Sequence, residues 1–380
     1  MRYLLCLLLI AIPVAAQRSL EADRSVVSQV RIDLRDLGYP PVDVIPSDES
    51  AIRALAVAPG GTLYGATSGK RSHLFVLFPA HGYVQPLGFL QGVSIIHRSL
   101  VVSRSGDVYI GAGDRDGHLY RYVPKNDDAK PIRVDAPLDV TDLGAPATGE
   151  GVYSLAIDRE KNVIYGLTRP SGHFFSYALA TSKFALHGKV AEHDIPGEKF
   201  EAYKNIGRSL VVIPGGHVLA SGENGAIFHF DPLQQTLART PLTLPGVPGR
   251  EPYSGADAWA IAVSGWVYGG ASDGYLFRLD PSLARVENLG KPLNQYRIRG
   301  LVFAENGKLY GVGGDDDEMA RLFSYDPASG VYDVLGMIDV NRRPYYSWHA
   351  YVIDAVAAGL DGTIYFGQAE RKSKLYLYHP

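Results

Sequence analysis

The chain has 380 residues, a formal net charge of −3 and 20% charged residues. So balanced a charge exerts no global pull on nucleic acid or on a membrane surface, and no stretch after the N-terminus is long and apolar enough for a transmembrane helix. One cysteine, Cys6, allows no internal disulfide, and 42 glycines and 24 tyrosines without long helical periodicity point to β-structure.

The chain opens with MRYLLCLLLIAIPVAAQ, which reads as a secretory signal over residues 1–16. Arg2 supplies the positive end, Leu4 to Val14 an apolar core too short to span a bilayer, and Val14-Ala15-Ala16 the small residues for cleavage. The expected product is residues 17–380, one domain, secreted or periplasmic and with no membrane association after cleavage. It contains no cysteine, so a cysteine-ligated zinc site is excluded.

Seven matched units follow in chain order. They are AIRALAVAPGGTLYGATSGKRSHLFVLFP (51–79), HRSLVVSRSGDVYIGAGDRDGHLYRYVP (97–124), GVYSLAIDREKNVIYGLTRPSGHFFSYAL (151–179), IGRSLVVIPGGHVLASGENGAIFHFDP (206–232), DAWAIAVSGWVYGGASDGYLFRLDP (257–281), RIRGLVFAENGKLYGVGGDDDEMARLFSYDP (297–327) and VIDAVAAGLDGTIYFGQAERKSKLYLYHP (352–380). Each has three short apolar or alternating runs separated by Gly/Asp/Asn turns, and most are followed by a fourth run ending in Leu-Gly. Four antiparallel strands at this period describe a propeller blade, so the expected fold is an all-β, seven-bladed β-propeller. The last unit lacks its fourth strand, and VRIDLRDLG (30–38) carries the same Leu-Gly ending. The N-terminal strand is therefore expected to complete the last blade and remove its open edge.

In a blade the first strand lines the channel, and the loop entering it shares a face with the loop between strands two and three. The strand-entry residues read Arg53, Arg98, Tyr153, Arg208, Trp259, Arg299 and Asp354, with His97 before Arg98. Arginines concentrated there focus positive potential on the funnel; the plainer reading is that each pairs with an acid of a neighbouring blade. The outer loops add His73, His118, Arg169 and His173. His97, His118, Tyr153 and Arg169, from the second and third blades, are expected to converge, although a lone histidine is more often structural. The segments EKFEAYKN (198–205), EPYSGADAW (251–259) and RRPYYSWHAY (342–351) offer Tyr203, Lys204 and His349 as further binding groups, or as blade packing.

Aromatic faces and arginine forks suit sugar rings and their anionic groups. A His/Tyr/Arg set without an obvious carboxylate pair argues against ordinary glycoside hydrolysis. No nucleophile elbow, HExxH, P-loop or dinucleotide fingerprint occurs. GGDDDE (313–318) lacks EF-hand spacing and reads as a solvated loop. Elimination on a uronate fits better: an arginine stabilises charge on the carboxylate while a histidine or tyrosine moves the C5 proton.

On these residues the chain resembles the seven-bladed polysaccharide lyases, the ulvan lyase families in particular. The resemblance spans nearly all of 17–380 as architecture and rests on IIHRSLVV, DGHLYRY, GVYSLAI and LTRPSG. It implies that a histidine and a tyrosine act as base and acid, that a second histidine assists and that an arginine neutralises the uronate. By position these are His97, Tyr153, His118 and Arg169. It implies an anionic, uronic-acid-containing and ulvan-like polysaccharide as partner and no required cofactor. A cysteine-containing structural zinc site, as some relatives carry, is ruled out, while another structural divalent metal stays open. Arg53, Arg98, Tyr203, Lys204, Arg208, Trp259, Arg299 and His349 are the expected substrate-binding set. The competing readings are a non-catalytic glycan-binding or scaffold propeller, a histidine-dependent propeller glycosidase, and a lactonase or streptogramin-type lyase.

Overall fold

The computed structural model describes residues 32–33, 45–79, 83–125, 134–191, 206–249, 254–280, 282–342, 346–370 and 373–380. Almost all regular structure is strand, apart from short 3-10 turns such as Pro214–Gly216 and Glu223–Gly225. Five four-stranded antiparallel sheets form separately, and an eight-stranded sheet joins two further sets through the parallel bridge Arg98–Ser154. Each of these seven sets has its first strand innermost. The inner strands are Ala51–Val57, Ile96–Val102, Gly151–Asp158, Leu210–Val212, Ala256–Ile261, Ile298–Phe303 and Ile353–Ala358. Each touches the next, and the last touches the first, so the blades close a ring.

The closure involves the N-terminus. Ile32–Asp33 pairs antiparallel with Lys374–Tyr378, with Ile32 opposite Leu375 and Asp33 opposite Lys374. The outer strand of the last blade thus comes from the start of the chain. The remainder of the expected 30–38 strand lies outside the described residues, as does the expected signal at 1–16. No helix among the described residues is long and apolar enough to cross a membrane.

The core lies between blades. One buried cluster joins Val101, Tyr109 and Leu119 of the second blade to Val152, Leu155, Phe175 and Tyr177 of the third. A repeated Tyr-Gly step in the second strand makes this packing fit. Gly65, Gly166, Gly269 and Gly311 each sit opposite a phenylalanine of the third strand: Phe75, Phe175, Phe277 and Phe323. The Cζ end of the ring covers the glycine, and a methyl group there would overlap it. At the turn side of the channel, Arg159 of the third blade donates from Nε to the Val102 carbonyl (2.9 Å) and from Nη2 to the Val57 carbonyl (2.7 Å). That one side chain ties three blades together.

Overpacking a full core costs about 1–3 kcal/mol. Gly166→Val is therefore expected to lower unfolding stability in urea by about that amount, whereas Gly60→Ala, where a methyl meets nothing within 4 Å, should be near neutral. Equal stability of the two variants would contradict this packing.

Candidate functional site

In six of the seven blades the ladder between first and second strands slips near the funnel mouth. The residues left at the slips are Arg53, the stretch His97 to Ser99, Tyr153, Asp257, Arg299 and Asp354. In the remaining blade Arg208 lies two residues before the inner strand Leu210–Val212. A bulge leaves a residue without a ladder partner and re-aims its side chain. The slips bring Arg53, His97, Tyr153, Asp257 and Arg299 to the funnel, where with Arg208 they line one cavity of about 860 Å³. That volume suits a ligand of several rings.

Asp354 forms the floor. Its side chain is 1% exposed, and four arginines from four other blades surround it. Arg53 donates to it through Nη1. Arg299 Nη1 lies 2.6 Å from Oδ1 and Arg208 Nη2 3.3 Å from Oδ2. Arg98 Nη2 stands 3.9 Å away and donates to the Arg299 carbonyl. Burial would raise the Asp354 pKa, but Arg208, Arg53, Arg299 and Arg98 together hold it well below the usual carboxylate range. Burial likewise opposes the charge on Arg208, yet Asp354, then Tyr153 and Asp257, outweigh it and raise its pKa. On the far wall Arg297 bridges Asp257 (2.7 Å) and Asp315 (3.1 Å), and Asp315 also accepts from Arg299. Burial works against the Asp315 charge too, but Arg299 and Arg297 keep it ionised.

The opposite wall carries the groups suited to proton transfer. His97 and Tyr153 meet edge to face with centroids 4.9 Å apart. Arg169, at the end of the second strand Val163–Arg169, donates from Nη1 to His97 Nε2 at 2.9 Å. Since guanidinium only donates, Nε2 carries a lone pair and the imidazole is neutral with its proton on Nδ1. Burial, followed by the charges of Arg169, Arg208 and Arg53, pushes the His97 pKa down to about 3. Gly113 makes room for the ring: a methyl there would lie 2.5 Å from His97 Cδ2 and 2.9 Å from Nε2.

The rim is stitched by acids. Glu49 holds His73 (2.7 Å) and Arg71, Asp114 holds Ser94 and the Ile95 amide, and Glu150 holds Thr168 and Ser171. Each ties the loop entering an inner strand to the loop between strands two and three. His73 is thus a fully buried structural residue.

Of the expected site, Arg53, His97, Tyr153, Arg169, Arg208 and Arg299 share the cavity. Arg98 lies beneath it, in a smaller chamber with Asp354. His118 stands apart: its Nδ1 lies 2.8 Å from the Asp142 carboxylate, on the outer side of its blade. His349 pairs with Asp339 at the open end of the hairpin of Asp339–Arg342 and Tyr346–His349 and is not among the residues lining the cavity. Tyr203 and Lys204 lie outside the described residues. The expectation for Trp259 needs correcting. The ladder slips at Asp257, so Asp257 holds the ring position, while Trp259 donates to the Ser209 carbonyl at 3.2 Å and lines the channel below the floor.

Asp257, Arg297 and Asp315 were not expected. Asp257 could have been found from the turn glycine eight residues after the ring position in six blades: Gly61, Gly106, Gly216, Gly265, Gly307 and Gly362. That spacing puts Asp257, not Trp259, in line with Arg53. The plainer reading of the arginines also holds in part, since Arg53, Arg208 and Arg299 share one acid.

No protein-family model and no curated protein matches the chain. Solved structures of similar fold include a streptogramin B lyase (12% identity, TM-score 0.63, covering 87% of this chain and 94% of that one). They also include the extracellular domain of the one-component system BT4673 from B. thetaiotaomicron (16%, 0.57, 89% and 40%) and the WD40 β-propeller domain of Doa1 (12%, 0.57, 87% and 93%). At these identities the likeness establishes the β-propeller fold.

Removing one partner from a buried charge cluster costs about 3–5 kcal/mol, because the charges left behind stay desolvated. Asp354→Asn is expected to lose that much stability in denaturant titration. A variant as stable as the parent would mean that the carboxylate does not hold the ring together.

Proposed function

We propose that the protein is an exported carbohydrate-active propeller that binds a uronate-bearing polysaccharide in its funnel and cleaves it by β-elimination. The observation that carries this reading is the meeting of His97, Tyr153 and Arg169 on one wall, above a floor with more guanidinium groups than carboxylates. A lyase among the structures of like fold supports elimination as a chemistry this scaffold can carry.

The geometry supports the following roles. The uronate carboxylate sits toward Arg53 and Arg208, which keep it charged and stabilise the negative charge that develops when C5 loses its proton. Arg169 turns from His97 to the incoming carboxylate, which frees the Nε2 lone pair. The same negative charge raises the proton affinity of His97 from its depressed resting value. His97 Nε2 then takes the C5 proton, and the C–H electrons form the C4=C5 double bond. The C4–O bond breaks and the Tyr153 hydroxyl protonates the leaving oxygen. Return of the proton from His97 to the tyrosinate, directly or through water, restores both groups. Ulvan-like sulfated chains are one class that presents such uronates.

A second reading has its own observation: Arg169 occupies the His97 lone pair, and each arginine around Asp354 already has an acidic neighbour. On that reading the funnel binds anionic glycans without turnover.

One experiment separates the two. Purified protein is incubated with a panel of uronate polysaccharides, ulvan included, while ultraviolet absorbance and reducing ends are followed. Elimination leaves a conjugated double bond and raises both signals. His97→Ala, Tyr153→Phe and Arg169→Ala are each expected to lower the rate at least about 100-fold, the lower range for loss of a proton-transfer or charge-stabilising group. Reducing ends without absorbance would indicate a glycosidase. No cleavage of any substrate would leave the binding module.

A further inference from the structure

Beneath the cavity lies a second, much smaller space. A chamber of about 10 Å³ is lined by Arg53, His97, Arg98, Tyr153, Arg208 and Asp354. It has room for about one water-sized group. Three guanidinium groups face one carboxylate there, and the imidazole is neutral. The lining therefore carries an excess of two positive charges. The ion pairs adjoining it do not cancel it: Arg53, Arg98, Arg208, Arg297 and Arg299 face Asp257, Asp315 and Asp354, while Arg169, Asp48, Asp316 and Glu370 line the upper cavity and not the chamber. Burying charge without a counter-charge is strongly unfavourable.

A second observation concerns one atom. Arg98 Nε is buried and has no hydrogen-bond partner among the described residues, whereas buried donors are nearly always paired. The Arg98 Nη2 is already used by the Arg299 carbonyl. Burial first, and then the charge of Arg208, depresses the Arg98 pKa to about 10. Asp354 and Asp257 offset this only in part.

We propose that this chamber binds one monatomic anion, chloride, among Arg53, Arg98 and Arg208. The chemistry selects the class. Water would satisfy the Nε–H but leave the charge excess, whereas a halide accepts the hydrogen bond and halves the excess. Sulfate, phosphate and sugar carboxylates are too large for the space. The bound ion is a permanent part of the floor and tempers the positive potential that a funnel ligand meets. The inference needs no turnover, so it stands or falls separately from the eliminative reading.

Bromide is the probe for location. Crystals of the full chain grown in bromide are expected to show an anomalous peak between Arg53, Arg98 and Arg208. Binding is read by thermal unfolding at constant ionic strength, with chloride replacing methanesulfonate. The midpoint should rise by roughly 2–4 °C, the size expected when a ligand binds the native state alone. Arg98→Met should abolish the chloride-specific rise. If that variant does not fold, the bromide map of the parent decides. Density without anomalous signal, or equal midpoints in the two salts, would overturn the proposal. An equal rise with sulfate would do the same, since sulfate cannot enter the chamber.

Discussion

One buried carboxylate organises this molecule. Asp354 sits on the axis and is met by arginines from the first, second, fourth and sixth blades. Chain separation between partners is large: Arg53 and Asp354 lie 301 positions apart. A charge so deeply desolvated is tolerable only when paired, so the cluster favours closure of the ring in one register. It also plugs the channel. Above the plug lies a wide polar cavity, and below it a narrower space lined by Trp259, Leu100, Leu155 and Leu210. The two ends of the axis therefore offer different chemistry.

A uniform frame yields a varied site through one repeated backbone device. The slip between first and second strands recurs at nearly the same place in six of the seven blades, and the residue it releases differs from blade to blade. The outcome is a ring of arginine, tyrosine and aspartate with histidine at its side. The packing behind the ring is far more uniform, with Tyr-Gly steps under phenylalanine and rim loops tied by acids. Stability comes from what the blades share and the varied chemistry of the funnel from what they do not. His97 shows the connection. Gly113 gives its ring space, Arg169 fixes its tautomer, and burial, followed by the charges of Arg169 and the floor arginines, suppresses its protonation.

The architecture was legible in the sequence because each blade repeats the same strand and turn chemistry, and because the last unit visibly lacks a strand. Most ring positions were legible for the same reason. The fifth blade was misread by two residues, since Trp259 looks like a binding aromatic while the slip releases Asp257. His118 was expected to join His97, but its loop emerges one strand further out, where Asp142 captures it. Partnerships across the ring were not legible at all. Nothing local announces that Arg297 will bridge Asp257 and Asp315, or that GGDDDE will supply an acid to the funnel wall instead of a solvated loop.

The central claim is that the funnel floor receives a uronate carboxylate directly below His97 and Tyr153. A crystal structure of Tyr153→Phe with a uronate oligosaccharide tests it most directly. The account predicts the carboxylate toward Arg53 and Arg208, Arg169 turned from His97 to the sugar, and C5 facing the freed Nε2. An oligosaccharide bound on the rim or on the opposite face, with Arg169 still on His97, would contradict it.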